Sequence, residues 1–413
     1  TFQSVSLTNA RMVSEIDSSN APTYTFVVSP TLGTTVEVSI LADMAEDEAG
    51  NGNTASNVLI VQAGSPESYF SEHENEIKQV IVDDAVRSLN SHLSTNQRFT
   101  KDALSRFQKS RSQTSSGSAN GSNVPFDIDG SFKISGSELN SEGIFFAQTG
   151  NDAGTKRRLL SGDFDVQHDG NTNSTTATAT GRIAWEQQIT ADTMLGYFIG
   201  GEFAYSDIKG DFSGDQTRLA ASAGGYAVHA LNETLFAHGF VTLGSGRNNL
   251  KIADDVITLD SDYSTQTASL GAALTGVYEF SDFELRPEVA FNYGKTWIGD
   301  VGFTGTAYNI TDSSLNLNAG NVSVASLTLR PEIVFALGDK DLANSNSHLS
   351  LAPRFICERT MSSVVSEQCG GGLEVGLLHN SQDGLSAADI RLVVDRVGNS
   401  TRTTVGFKFE AKF

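Results

Sequence analysis

No run of eighteen apolar residues occurs anywhere in the chain, which excludes a helical membrane protein. Proline is scarce, at 7 of 413 residues, and cysteine scarcer, at 2. Basic side chains are outnumbered: 28 Lys and Arg face 49 Asp and Glu, for a formal charge of −21. Such a surface repels phosphates and excludes nucleic acid as a partner; the excess acid serves the solubility of exposed loops. Catalytic signatures are missing too, with no Gly-x-Ser-x-Gly and no His-Glu-x-x-His. Asn292-Tyr293-Gly294-Lys295-Thr296 ends like a phosphate loop, but Val289 stands where its first glycine belongs. The 7 histidines are scattered, so neither a metal nor a cofactor is expected, and the chain is not read as an enzyme. Thr1-Phe2-Gln3-Ser4 offers neither a basic nor an apolar stretch, so no secretory signal opens the sequence and a fragment or processed product is expected.

Glycine is plentiful, at 39 residues, and serine, threonine and asparagine abound, a composition suited to many strands joined by polar turns. From about residue 155 to Phe413 roughly twelve segments alternate with a two-residue period, and a hairpin over 126–148 raises the count to fourteen if it joins them. Leu285, Pro287, Val289, Phe291 and Tyr293 share one face against Glu284, Arg286, Glu288 and Asn292. Leu327, Leu329, Pro331, Ile333 and Phe335 oppose Arg330 and Glu332; Leu349, Leu351, Pro353 and Phe355 oppose Arg354; Ile390, Leu392 and Val394 oppose Arg391 and Asp395.

Alternation alone suits a soluble barrel equally well; the chemistry of the two faces decides. Large aromatic and branched residues fill the apolar face of almost every segment, more than one interior can hold. Turned outward they form a lipid belt, and Arg286, Glu288, Arg330, Glu332, Arg354, Arg391 and Asp395 line a hydrated lumen. The reading is a mainly β fold, a twelve-stranded antiparallel transmembrane barrel. Short links at 188–191 and 231–233 are expected on one side, and long loops, Arg247 to Asp260 and Ile298 to Asn321, on the other. Cys357 and Cys369 flank one of these outer loops, where an oxidising compartment favours a disulfide.

Upstream, three regions differ in texture. Residues 1–63 hold short β-like runs, Tyr24–Val28, Thr35–Ile40 and Ser56–Val61, the spacing of an antiparallel sandwich. Residues 64–111 read as a helix: Ser65-Pro66-Glu67 is a capping start, and Ile77, Ile81, Ala85, Leu89 and Leu93 recur every four residues. At 1.5 Å per residue that helix runs about 70 Å, over twice a bilayer core of about 30 Å, so either it breaks or only part of it lies inside a barrel. Its later half, Asn90 to Arg111, is polar enough for a wet lumen; a surface helix packed on the N-terminal region is the alternative. Residues 112–124 read as a flexible link, within a boundary region of 112–154.

Two resemblances follow. Ala42 to Ala55 resembles the closing segment of bacterial Ig-like repeats of surface adhesins, implying a partial passenger repeat with more chain upstream. Arg182–Glu186, Leu195–Tyr205 and Leu235–Asn249, with a helix before the barrel, resemble the β-domain of classical monomeric autotransporters (type V secretion). That resemblance implies a bacterial outer-membrane location, export and surface display of an adhesin-like passenger, and a helix left as a plug. It also implies insertion by the barrel-assembly machinery with periplasmic chaperones, into outer-membrane lipid, as a monomer. Thr403, Val405, Phe407, Phe409, Ala411 and Phe413 share a face of the final strand, and Phe407, Phe409 and Phe413 resemble the assembly signal. An outer-membrane solute channel, and an anchor for an enzymatic passenger, are the alternatives.

Overall fold

The computed structural model describes the chain except residues 1–4, 21–22, 32–33, 48, 63, 117–124, 153–155, 309, 339–344, 363, 382–384 and 413. It divides into two compact units: Thr1–Asn75 with Ala253–Leu259 and Phe303–Leu315, and the remainder from Glu76 to Phe413.

The larger unit is a closed antiparallel barrel of fourteen strands. In order they are β1 (Pro125–Ser135), β2 (Glu138–Asp152), β3 (Lys156–Asp169), β4 (Ser174–Thr190), β5 (Thr193–Ile208), β6 (Ser213–Ala230) and β7 (Leu235–Ala253). Next come β8 (Ile257–Gly276, carried on by Tyr278–Glu279), β9 (Glu284–Ala307), β10 (Ile310–Leu337), β11 (Ser347–Met361), β12 (Val365–Asn380), β13 (Ser386–Val397) and β14 (Ser400–Lys412). Each pairs with its sequence neighbours, and β14 pairs with β1 to close the ring. The twelve-strand expectation is corrected to fourteen: the hairpin over 126–148 supplies β1 and β2, and the barrel begins at Pro125 rather than near 155. A low-complexity link precedes that hairpin in sequence, which made it look detached. Its pairing partner, β14, is the farthest strand along the chain.

The expected long loops are corrected as well. Arg247 to Asp260 and Ile298 to Asn321 are mostly strand, the upper parts of two tall hairpins, the first turning at 254–256 and the second just after Ala307. Polar residues and glycine dominate these stretches, but apolar positions keep the two-residue beat, with Ile252, Ile257, Val301, Phe303, Leu315 and Leu317 all buried. β9 and β10 have 24 and 28 residues. A membrane-spanning strand needs about 9–11, so much of each stands clear of a bilayer. The tall hairpins mark the far end of the barrel; the chain enters β1 and leaves β14 at the near end.

The helical region starts where the sequence places it. Ser65 caps α1 (Pro66–Glu72), its hydroxyl accepting from the Ser68 amide while the Ser68 hydroxyl accepts from the Ser65 amide. His73 then breaks the run, and α2 (Glu74–Ser116) continues for 43 residues, about 65 Å. The helix thus passes the expected end at 111 and takes in the first part of the link predicted for 112–124; the rest of that link lies outside the described residues.

In the smaller unit Ser6–Thr8, Thr35–Ser39 and Leu59–Gln62 form a three-stranded sheet, and Ala10–Met12 with Val28–Pro30 and Asp17–Asn20 with Thr23–Thr25 form two ribbons. The acidic loop is self-satisfied: the Asp47 carboxylate accepts from the Ala49 and Asn51 amides and from the Asn51 side chain. The same unit holds α1 against the hairpin tips. Phe70 is buried with its ring 5.4 Å from that of Phe303, and the Tyr69 hydroxyl donates to Asp254 at 2.6 Å. The hydrogen bond to Asp254 pushes the Tyr69 phenol up to about 12. Burial alone would raise the Asp254 carboxyl, but donation from Tyr69 and from the Ile257 and Val256 amides brings it below its ordinary value.

The signs give a window. The Asp254 contribution is present above the usual carboxylate range and is lost as pH falls through its lowered pKa; the Tyr69 contribution is present below 10.0 and is lost as pH climbs to about 12. In spectrophotometric titration Asp254→Asn should return one phenol from about 12 toward 10.0. A titration unmoved by that substitution rejects the Tyr69–Asp254 hydrogen bond.

Candidate functional site: a charged lumen filled by a helix

The two faces of the wall differ as their chemistry requires. Each of the fourteen strands turns at least one large apolar side chain outward: Phe132, Phe164, Tyr197, Leu219, Phe355 and Ile390 are examples, from 44% exposed at Phe355 to 69% at Leu219. An apolar surface that circles a molecule far exceeds the few hundred Å² a soluble monomer tolerates. Phe291, Leu392, Phe407 and Phe409 belong to this belt, whereas Phe335 is half-buried beside Phe283; Phe413 lies outside the described residues. Inward positions are polar, among them Asp163, Thr178, Arg182, Glu186 and Glu288, all buried. No helix is long and apolar enough to cross a membrane among the described residues, so spanning falls to the strands. This is an outer-membrane type of barrel, greasy outside and wet within.

α2 occupies the lumen. Its four-residue beat is buried at Ile77, Ile81, Ala85, Leu89 and Leu93, as is Phe107 further on. The wall makes room for it at Gly294, in the stretch that mimics a phosphate loop. A Cβ there would sit 2.6 Å from Leu89 Cδ1 and 3.4 Å from Leu93 Cδ1. Gly294→Leu is therefore expected to overpack this contact by about 1–3 kcal/mol and lower the unfolding temperature. An unchanged midpoint would show that α2 does not press on β9.

Lower down, an aromatic pocket grips Phe99. Its ring lies 5.1 Å from Tyr226, edge on, 5.5 Å from Phe146 and 5.7 Å from Phe198. Arg106 extends over Phe146 at 5.6 Å and forks onto Glu186 at 2.6 and 3.3 Å, while the Tyr226 hydroxyl donates to the same carboxylate. Tyr197 and Phe198 show how one strand serves both faces: the first is 60% exposed outward, the second buried in this pocket.

Polar contacts continue along the helix. At the far end Asp84 accepts from Ser206, Gln216 and Arg218, and Arg218 also meets Glu202 at 2.9 Å. In the middle Asn96 accepts from Arg182 and donates to Thr242 and Ser269, and Thr95 donates to Asp163. At the near end Lys109 meets Glu410 at 2.5 Å and Arg111 meets Asp192 at 2.7 Å. The helix therefore enters at the far end and emerges at the near end, matched to the wall the whole way.

The lumen charges read from sequence gather on β9 to β13. Arg330 forks onto Glu374 at 2.6 and 3.0 Å and reaches Glu332 and Glu288; Arg391 bridges Glu374, Glu332 and Asp389; Arg354 meets Asp395 at 3.4 Å. Lys101 of α2 joins the cluster through Glu288 at 3.0 Å. Arg286 stands apart, paired with Glu284. Sequence reasoning missed Glu374, the hub, because one acid between Gly370-Gly371-Gly372 and Val375 shows no charged alternation. It also missed Asp84, Glu186, Glu202 and Arg218, whose only signal is an inward phase in a strand or on the helix. Cys357 and Cys369 are joined, directly opposite one another on β11 and β12, inside the strands rather than at the edges of a loop. Among the described residues no cluster of His, Cys, Asp or Glu has the makings of a metal site.

No protein-family profile and no curated relative matches the chain. Among solved structures it is similar to the translocator domain of the autotransporter NalP from Neisseria meningitidis, at 12% identity and a TM-score of 0.43, covering 81% of this chain and 99% of that one. It is similar to the β-domain of the Bordetella autotransporter BrkA (13%, TM-score 0.42, 71% and 100%) and to the monoaromatic hydrocarbon channel CymD (12%, 0.44, 70% and 88%).

Proposed function

We propose that the chain is the outer-membrane translocator and anchor of a bacterial surface protein. The observation that carries this reading is the path of α2. One continuous polypeptide runs through the lumen from far end to near end and there joins the barrel. Residues before α2 are thereby displayed at the far end, tethered to the membrane by the same chain. The lumen supports passage because its wall is lined with hydroxyls and paired charges that can exchange partners with a moving chain or with water, and it supports retention because the wall fits this helix at the rings around Phe99 and at Gly294. In this reading the exported part includes residues 1–63, an adhesin-like passenger, and the partners are the barrel-assembly machinery, periplasmic chaperones and outer-membrane lipid. No catalytic role is assigned.

The test is topological. With a secretory signal attached, intact Gram-negative cells expressing the chain should lose residues 1–63 to added protease while the barrel survives. Protection of those residues until the cells are lysed overturns the display orientation.

A further inference from the structure

Part of the lumen contact of α2 falls where the ring closes. β1 and β14 have 11 and 13 residues, among the shortest strands in the wall, and their pairing runs only from Arg402 opposite Ser135 to Lys412 opposite Pro125. Closing strands are the vulnerable ones, because before closure each carries a free edge of backbone donors and acceptors. From the lipid side this seam is keyed by Phe407, whose ring lies over Gly130: a Cβ on Gly130 would come within 2.5 Å of it. From the lumen side three charged residues of α2 reach to the two strands and to the neighbour of β1, and Ser94 donates to Glu142 of β2 beside them. Asp102 accepts from Lys408 of β14 at 2.6 Å, and Lys109 binds Glu410 of β14. Arg98 donates to Ser131 of β1 at 3.2 Å and pairs with Glu142 of β2. Ser131 itself donates to Glu142, tying β1 to β2 at the same level.

Arg98, Asp102 and Lys109 follow one another at about one- and two-turn spacing along a single helix. Their partners lie on both sides of the closing line: β1 and β2 for Arg98, β14 for Asp102 and Lys109. We propose that α2 is an internal strap across the β1–β14 seam, a positioning element that holds the first and last strands together from within. The inference rests on these contacts and not on the translocator reading. Its consequence is an order of events: the ring is weakest at this seam until the helix is seated, and a barrel whose helix cannot reach the seam keeps two strand edges open to pairing with another chain.

The experiment compares two sets of helix substitutions in the full chain, folded in liposomes, by amide hydrogen exchange. R98Q/D102N/K109Q removes the seam contacts. D84N/R106Q removes contacts of the same kind made elsewhere, to Arg218 and Glu186. The strap predicts that the first set speeds exchange in 126–135 and 402–411 by about tenfold while 193–208 and 213–230 change little, and that the second set does not single out the seam. Equal acceleration of all interfaces by the first set, or seam opening by both sets, overturns it. If the triple variant does not insert, a charge swap decides: D102K should open the seam and D102K/K408D should close it again. Failure of the second substitution to restore protection rejects the strap, whatever the translocation activity of the chain.

Discussion

Removal of residues 74–111 is expected to raise single-barrel conductance in planar bilayers on the order of tenfold, since a helix with its side chains is about 10–12 Å across and fills most of the lumen. The full chain should conduct weakly. The physical reason is that α2 is not loosely threaded: Phe99 is held by three rings, Arg106 by Glu186 and Asp84 by Arg218, so the helix cannot slide aside without leaving buried charges unpaired. A native solute channel behaves differently. It would already conduct with the helix in place and change little without it. The same substitution of a plugged for an open lumen therefore separates a translocator from a channel.

Loss of Glu374 is expected to be the most damaging single change in the wall. It anchors Arg330 by two hydrogen bonds and Arg391 by a third, all at 2.6–3.0 Å, in a site where Arg330 and Glu374 are both buried. Glu374→Ala removes the closer of the two carboxylates that these guanidinium groups share, leaving them Glu332 at 3.1 and 3.2 Å, a cost of up to about 3–5 kcal/mol for a broken buried pair. The location adds to it. Pairing between β10 and β11 runs from Ser323 to Leu329 and resumes only at Ile333, across the stretch that holds Pro331 and Pro353. Proline offers no amide hydrogen to a ladder. The ion network thus spans strands where backbone hydrogen bonds are interrupted. Thermal unfolding in detergent should show a drop for Glu374→Ala that the paired change R330M/E374L partly recovers, because two apolar groups leave no stranded charge. A midpoint within a degree or so of the parent would mean that water already satisfies Arg330.

Much of this was legible in the sequence, and the part that was not shares a cause. The two-residue beat and the split between aromatic and charged faces gave the barrel, its polarity and most of the β9–β13 charge cluster, because those properties depend on neighbours one or two residues away. The capping start at Ser65 and the four-residue beat from Ile77 gave the helix for the same reason. Closure did not show, since β1 and β14 lie at opposite ends of the barrel sequence and nothing local marks them as partners. The Phe99 pocket did not show either: Phe146, Phe198 and Tyr226 come from three strands and converge only when the ring is formed. Gly294 looked like half of a nucleotide motif, when its missing side chain is space for Leu89. The tall hairpins were hidden by glycine and polar residues, which favour turns in general but stand mostly outward on strands here.

The account depends most directly on which surface of the wall meets hydrocarbon. Spin labels placed singly at Phe291, Leu392 and Phe409 in lipid-reconstituted protein should be accessible to oxygen and shielded from a water-soluble relaxant. Labels at Arg391 and Arg354, on the lumen side, should show the reverse. Water at the first three positions would contradict the membrane barrel, and with it the reading of α2 as the chain left in a transport path.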